Sequence, residues 1–212
     1  MVRQDKLYYL VHEFKAWETG FDISYYQNNF LKGLIASILF PVSNKTLESV
    51  FKTILPSSCS ENIYTFKKNI RLSKLSTPKN VSLKKVKSIV NFLSWSEKNI
   101  NLLKIEEFKH YTNEQLFFKL FSIPGISRKN IDFAMCLFFN RDILPLDFRF
   151  MRVMKRFGVI QKETSTYVAR KELVPFVPIG THSHFYLSLV SFATKVCKRI
   201  NPVCDSCIIN SY

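Results

Sequence analysis

The stretch Ile123-Pro124-Gly125-Ile126-Ser127-Arg128-Lys129 is the most informative part of this chain. It separates two segments whose apolar residues recur at helical spacing: Leu116, Phe117 and Leu120 before it, and Ile131, Ala134, Met135 and Phe138 after it. Pro-Gly at such a junction predicts a tight turn, and hence a helical hairpin. The backbone N–H groups and the dipole at the start of the second helix would suit a phosphate. An ordinary helix-turn-helix connection explains the pattern equally well.

Lys129 lies in the first turn of the second predicted helix. It precedes Ile131 by two residues, or about 200° around the helix axis, so it should point away from the buried stripe. A helix N-terminus disfavours the cation and therefore favours the neutral, nucleophilic amine. For a lone lysine, a solvated surface position is the more common explanation.

A second signature is Leu144-Pro145-Leu146-Asp147, followed by a segment of apolar and basic residues that ends before Gly158. Asp is a preferred N-cap, and Gly is the preferred left-handed residue after a helix. The sequence therefore predicts a helix over 148–157. Capping alone would be enough to explain Asp147.

The pattern along the chain predicts an all-α protein, because no segment alternates with period two. The predicted helices cover about 6–17, 28–40, 45–55, 61–72, 82–97, 113–121, 127–140, 148–157 and 182–198, with a weaker one within 162–180.

The composition favours a folded protein that binds a polyanion. Apolar residues make up 47% of the 212 residues, which argues against disorder, and 31 Lys and Arg against 16 Asp and Glu give a net charge of +15. Such an excess attracts nucleic acid first and an anionic membrane second.

The polar start of the sequence predicts no signal peptide, and the apolar stretch 33–42 is too short to cross a bilayer. We therefore expect a soluble protein, cytoplasmic and nucleoid-associated or, in a eukaryote, nuclear. Cysteines would stay reduced there, which favours a metal or cluster over disulfides for a tightly spaced group.

Together these parts resemble the endonuclease III family of helix-hairpin-helix DNA glycosylases. In that family a Leu-Pro-Gly-Val-Gly-Arg-Lys hairpin is followed 18 residues later by an Asp at a helix start. Here Lys129 ends the matching hairpin and Asp147 stands 18 residues on. Arg152 and Val153 match an Arg-Val pair in the helix after that Asp. Ser127 replaces the second hairpin Gly, which would strain the backbone if φ there is positive.

The resemblance implies base-excision repair on double-stranded DNA that contains a damaged base or an abasic site. Lys129 would form a Schiff base with the sugar, Asp147 would assist, and β-elimination would cut the strand. The candidate DNA contacts are Gly125, Ile126, Ser127, Arg128, Arg149, Arg152 and Lys198. We expect a monomer with no membrane partner.

Two other functions remain open. A monofunctional glycosylase for alkylated or mismatched bases would leave Lys129 incidental. A non-catalytic helix-hairpin-helix DNA-binding protein would leave Asp147 as a cap alone.

The resemblance also implies a C-terminal iron–sulfur loop. The family spacing C-x6-C-x2-C-x5-C is matched by Cys197, Cys204 and Cys207, and its fourth position would be 213, one residue past Tyr212. A [4Fe–4S] cluster with an incomplete ligand set, a loop without a cluster, and zinc held with His182 or His184 are the alternatives. Cys59 and Cys136 lie outside the spacing and are expected to be buried.

The family fold has two lobes. We expect a six-helix module over 27–140 that ends in the hairpin. Residues 1–26 and 141–212 should form a second helical lobe carrying the Cys loop (197–207), and DNA should bind in the cleft between the lobes.

Overall fold

The computed structural model describes residues 3–17, 19, 22, 24, 30–40, 47–48, 81–99 and 108–210. Within these ranges all regular structure is helical, which confirms the all-α fold class. In chain order the α-helices whose two ends both lie within these ranges are α1 (Gln4–Glu13), α2 (Phe30–Leu39), α3 (Leu83–Lys98), α4 (Asn113–Phe121), α5 (Arg128–Leu137), α6 (Phe148–Phe157), α7 (Thr166–Leu173) and α8 (His182–Lys195). Short 3-10 turns follow at Val174–Phe176 and Cys204–Ser206.

The helices agree closely with the sequence-based prediction where both ends carry local signals. The bounds of α4 and α6 are those predicted, whereas α5 and α8 each end three residues earlier than expected. The weak helix predicted within 162–180 is α7 with the 3-10 turn after it. The predicted helices over about 45–55 and 61–72 lie outside the described residues, apart from 47–48.

The chain divides into two compact units. One comprises Asp22–Phe139 and is called here the hairpin unit; the other comprises Met1–Phe21 and Asn140–Tyr212 and is called the Cys-loop unit. The predicted domain organisation stays a prediction, because compactness alone does not show that either part folds as an independent domain. No helix in the described ranges is both long and apolar enough to span a bilayer.

Helix α2 forms the buried centre of the hairpin unit. Eight of its ten residues are buried, as expected for a helix that is apolar on every side, and α3 and α5 pack against it. Lys85 of α3 donates from Nζ to the carbonyl oxygens of Leu39 (2.6 Å) and Phe40 (3.3 Å). A cation at a helix C-terminus is favourable, so Lys85 both ends α2 and ties α3 to it.

The hairpin between α4 and α5 is built from local signals. Thr112 and Gln115 form a capping box at the start of α4, and Ser127 and Asn130 form another at the start of α5. Asn130 Nδ2 also donates to the carbonyl of Ser37 at 2.8 Å, which fixes the start of α5 against α2.

The turn itself requires glycine at one position. Ile126 N–H donates to the Ile123 carbonyl at 3.2 Å, Pro124 is the second residue of this turn, and Gly125 is the third with φ of +89°. A Cβ on Gly125 would overlap the backbone carbonyl of Ser88 in α3. The turn is therefore glycine-dependent for its dihedral angles and for the close approach of α3.

The Cys-loop unit is organised around α6 and α8, which pack against each other. Ring contacts join Phe14, just after α1, to α8: its ring centroid lies 5.2 Å from that of Phe192 and 6.4 Å from that of Phe185, both edge-on. The N-terminal helix is thereby anchored to the C-terminal part of the chain.

We expect Gly125→Ala to lower the free energy of unfolding by about 3 kcal/mol or more, because the change combines an unfavourable φ with steric overlap against Ser88. Gly180→Ala is the matched control: φ there is +78°, but no atom lies within 4 Å of the added Cβ. It should cost only about 1 kcal/mol. Urea denaturation of both variants makes the measurement, and equal losses would contradict the close approach at Gly125.

Candidate active site and cysteine loop

Lys129 is exposed in the first turn of α5, as its position in the sequence predicted. Its Nζ lies 5.5 Å from the ring centroid of Phe133, a fully buried residue of the same helix. An aromatic face attracts an ammonium group at this range. The amine therefore stands at the boundary between the hydrophobic core of the hairpin unit and solvent.

The other hairpin residues predicted to contact DNA differ in exposure. Ser127 and Arg128 are exposed, Gly125 is half-buried, and the side chain of Ile126 packs inside. Ser127 has φ of −89° and is the N-cap of α5, so no steric penalty follows from its replacing a glycine. The guanidinium of Arg128 lies 5.3 Å from the ring centroid of Phe117 in α4.

Asp147 is the N-cap of α6, as predicted, and its carboxylate is completely buried. Oδ1 accepts from the backbone N–H groups of Arg149 and Phe150, both at 2.9 Å. These are the donors that a helix start leaves without an intrahelical partner. The carboxylate thus fixes the first turn of α6.

The second carboxylate oxygen of Asp147 binds side chains. Arg149 donates to Oδ2 from Nε at 2.9 Å and also from Nη2, and Tyr186 Oη donates at 3.3 Å. Sequence reasoning placed Arg149 on a DNA-contacting surface, but the structure shows it buried, with 8% of the residue exposed, in an ion pair with Asp147. A DNA-contacting role for Arg149 stays a prediction.

Arg152 also has protein partners. Its Nε donates to the Cys197 carbonyl at 2.9 Å and its Nη2 to the Ala193 carbonyl at 2.7 Å. These carbonyls belong to the last turn of α8 and the residues after it, where a cation is favoured. The structure therefore gives Arg152 a local structural role, and the predicted DNA contact remains a prediction.

One turn further along α6, Arg156 binds the loop that carries the cysteines. Its Nη1 donates to the Lys198 carbonyl at 2.6 Å, and its Nη2 donates to the Arg199 carbonyl at 3.2 Å. Nη1 also lies 3.5 Å from Cys197 Sγ. Lys198 itself is exposed, which leaves its side chain accessible to a polyanion.

Cys197, Cys204 and Cys207 line one cavity of about 410 Å³, together with Arg156 and several apolar residues. Cys197 is buried, Cys204 is exposed and Cys207 is intermediate. Among the described residues, no three His, Cys, Asp or Glu side chains converge closely enough to hold a metal ion. The three thiols share a cavity, therefore, without meeting at a common centre. Cys136 is buried, as predicted, and Cys59 lies outside the described residues.

The two histidines considered as zinc ligands have other neighbours. His182 Nδ1 lies 2.9 Å from Asp142 Oδ1, and His184 Nε2 lies 3.1 and 3.0 Å from the carbonyl oxygens of Phe14 and Lys15. Neither histidine lines the cavity that the cysteines line.

Comparison with known proteins identifies relatives of this chain. It is 31% identical over 132 residues to endonuclease III of Rickettsia felis, an alignment that covers 61% of each chain. A solved structure of a trapped endonuclease III–DNA covalent intermediate matches it with a TM-score of 0.69 at 18% identity, covering 99% of this chain and 94% of the other. A thermostable thymine-DNA glycosylase matches with a TM-score of 0.60 at 15% identity, covering 97% and 91%. No family model matches the chain.

The resemblance to the endonuclease III family is confirmed. The fold is that of the helix-hairpin-helix glycosylases, in agreement with the all-α architecture and with the hairpin between α4 and α5. The chain spans about six tenths of the length of the Rickettsia relative that it matches in sequence.

Sequence reasoning missed two residues that shape these sites. Tyr186 is fully buried, and its hydroxyl reaches Asp147; a tyrosine within an apolar helix signals such a polar partner. Arg156 stands four residues after Arg152, so both should share one face of α6. That spacing could have indicated the joint contact with the Cys loop.

We expect Asp147→Asn to lower the free energy of unfolding by about 3 kcal/mol or more, because it leaves the buried Arg149 guanidinium unpaired. Tyr186→Phe removes one long hydrogen bond and should cost about 1 kcal/mol. Thermal and urea unfolding of the two variants compares these costs. If Asp147→Asn were no more destabilising than Tyr186→Phe, the ion pair would contribute nothing to stability.

Proposed function

We propose that the chain is a base-excision repair DNA glycosylase with abasic-site lyase activity. The observation that carries the proposal is the exposed Lys129 amine in the first turn of α5, directly after the hairpin. The Asp at the start of a basic helix 18 residues later and the likeness to endonuclease III support it.

In the proposed reaction, the neutral Nζ of Lys129 attacks C1′ of the damaged nucleotide. The bond from C1′ to the base breaks, and the base leaves with the electron pair and takes up a proton. The nitrogen lone pair then opens the bond from C1′ to the ring oxygen, which is protonated, and a Schiff base forms. Asp147 assists by stabilising the positive charge that develops on the sugar or by accepting a proton.

Strand cleavage follows from the Schiff base. Loss of a proton from C2′ breaks the bond from C3′ to its oxygen and expels the downstream strand with a 5′-phosphate, and hydrolysis of the imine returns the Lys129 amine. The Lys129 amine cannot reach C1′ of a nucleotide that is stacked inside a duplex, so the nucleotide must be flipped out of the helix.

The proposed substrate is double-stranded DNA that carries a damaged base or an abasic site. The net charge of +15 supports a polyanionic partner, as does the exposed Arg128 beside Lys129. The segment around Gly125, Ile126 and Ser127 would receive a backbone phosphate at the start of α5. We expect the protein to act as a monomer.

We propose that the cavity lined by Cys197, Cys204 and Cys207 holds an iron–sulfur cluster. A [4Fe–4S] cluster takes four thiolates, of which this cavity would supply three once they converge on the cluster, and the cation of Arg156 beside Cys197 Sγ suits an anionic sulfur. When bound, the cluster would cross-link the thiolates and so stabilise the folded loop.

A monofunctional glycosylase is the second candidate. A Methanothermobacter thermautotrophicus protein named thymine/uracil-DNA glycosylase is 29% identical over 91 residues, 42% of this chain and 41% of its own length. In that case Lys129 would form no covalent bond with DNA.

A non-catalytic DNA-binding protein is the third candidate. The hydrogen bonds of the buried Asp147 favour it, because they account for that residue as a structural cap. Such a protein would bind damaged and undamaged duplexes equally, with an affinity that falls steeply with salt.

Borohydride reduction in the presence of abasic-site DNA distinguishes the candidates, since only a Schiff base yields a covalent adduct. We expect wild-type protein to be trapped, and Lys129→Ala to lose both the adduct and strand cleavage by at least about a hundredfold. Lys119→Ala, which removes an exposed lysine of α4, is the control. Cleavage that survives in Lys129→Ala would remove the proposed nucleophile, and base release without any adduct would favour the monofunctional enzyme.

Protein purified without oxygen should contain iron and acid-labile sulfide. Cys197→Ser should lose both, because it removes the buried thiol of the set. Cys136→Ala, a buried cysteine outside the loop, should retain them. Metal analysis of the three proteins decides the matter: iron-free wild type would contradict the cluster, and zinc in its place would favour the zinc alternative.

A further inference from the structure

The carboxylate of Asp147 has no acceptor position left for a substrate. A carboxylate offers about four lone-pair sites, two on each oxygen. Oδ1 accepts two backbone N–H groups, and Oδ2 accepts two donors from Arg149 and one from Tyr186. A proton or a cationic sugar would have to displace one of these donors.

Arg149 also cancels the charge that the proposed chemistry needs. A guanidinium stays protonated in proteins, and that of Arg149 directs two N–H groups, from Nε and Nη2, at the single oxygen Oδ2. Because the two groups are in direct contact and the Asp147 side chain is fully buried, the positive charge of Arg149 offsets much of the attraction that Asp147 would exert on a nearby cation. A neutralised pair stabilises a developing cation poorly.

The donors to Asp147 differ in how easily they can move. The two backbone N–H groups belong to the first turn of α6. Tyr186 is fully buried, and its ring stacks on that of Phe150 with centroids 6.2 Å apart. Arg149 reaches the carboxylate through a long side chain that is 10% exposed.

The surface next to Arg149 offers its guanidinium a second position. Phe148 is 63% exposed, and the Arg149 guanidinium already lies 5.6 Å from its ring centroid. An aromatic face can support a guanidinium as it moves toward solvent. An anion near Phe148 would compete with Asp147 for it, and a DNA backbone supplies such anions at high density.

We propose that Arg149 is a positioning residue that masks Asp147 in the free protein and releases it when DNA draws the guanidinium away. This inference rests on the proposed function, in which Asp147 acts on the sugar. In this proposal, binding of the DNA backbone directly increases the negative charge that Asp147 presents to the sugar. A protein without bound DNA would then keep its carboxylate neutralised as the cap of α6.

The kinetic test uses the full chain with Arg149→Gln, whose amide can still donate to Asp147 but carries no charge. The rate constant of a single turnover at saturating abasic-site duplex should stay within about threefold of the wild-type value, because bound DNA has already drawn the guanidinium of the wild type away from Asp147, while the affinity for the duplex should weaken by up to about tenfold. Arg149→Lys keeps the cation but loses the planar guanidinium, so its affinity for the duplex should lie between those of the wild type and Arg149→Gln. Lys171→Gln, which removes an exposed cation of α7, should change neither quantity by more than about twofold.

The single-turnover rate constant of Arg149→Gln decides whether Arg149 masks Asp147 or takes part in the reaction. A lower rate with an unchanged unfolding midpoint would show that Arg149 contributes to the reaction itself, and it would overturn the masking role. A wild-type protein without Lys129-dependent cleavage would contradict the proposed function rather than the masking role.

A second measurement needs no turnover and is made on the wild-type protein; a variant is used only to assign the signal. In protein labelled with ¹⁵N-arginine, the Nε–H signal of Arg149 should show a strong hydrogen bond in the free state, and it should shift when undamaged duplex is added. Its assignment comes from the signal lost in Arg149→Gln or, if that variant does not fold, Arg149→Lys. A signal unchanged by saturating duplex would overturn the proposal.

Discussion

The buried carboxylate of Asp147 is used by the fold and by the proposed chemistry at the same time. As a cap it binds the first N–H groups of α6, and as an ion-pair partner it keeps Arg149 in the interior. Removing a charge from water is costly unless hydrogen bonds and a counter-charge replace the lost hydration. The environment that makes a buried Asp147 tolerable is therefore also the one that leaves it unreactive. Any catalytic role requires part of that environment to change.

Helix α6 joins the Asp147 cap at its start to the C-terminal loop at its end. Its first turn depends on Asp147, its middle carries Arg152, and its last turn carries Arg156. The two arginines bind the carbonyl oxygens at the end of α8 and in the Cys loop. A change that loosened the start of α6 would reach the cysteine cavity through these contacts, within a single unit of the chain.

The parts that could be predicted from the sequence are those determined by residues near one another in the chain. Asp147 and Gly158 bracket α6, and Gly158 has the left-handed φ of +75° expected after a helix. The predicted ends of α5 and α8 lie three residues beyond the observed ones. Asn140, just beyond α5, is left-handed with φ of +48°, and the end of α8 binds Arg152, a residue distant in sequence. Propensity alone could not indicate the second of these.

The site residues, too, could be predicted only where nearby residues in the chain determine them. The exposed Lys129 and the capping Asp147 followed from helical phase and capping preference. The burial of Arg149 could not be predicted in this way. Charged residues are rarely buried without a partner, and the partner of Arg149 is Asp147, a residue assigned to catalysis from the sequence. Two residues apart at a helix start, an Asp cap and an Arg can satisfy each other within one turn. A sequence with such a pair after a helical hairpin predicts a carboxylate that is buried in an ion pair rather than open to a substrate.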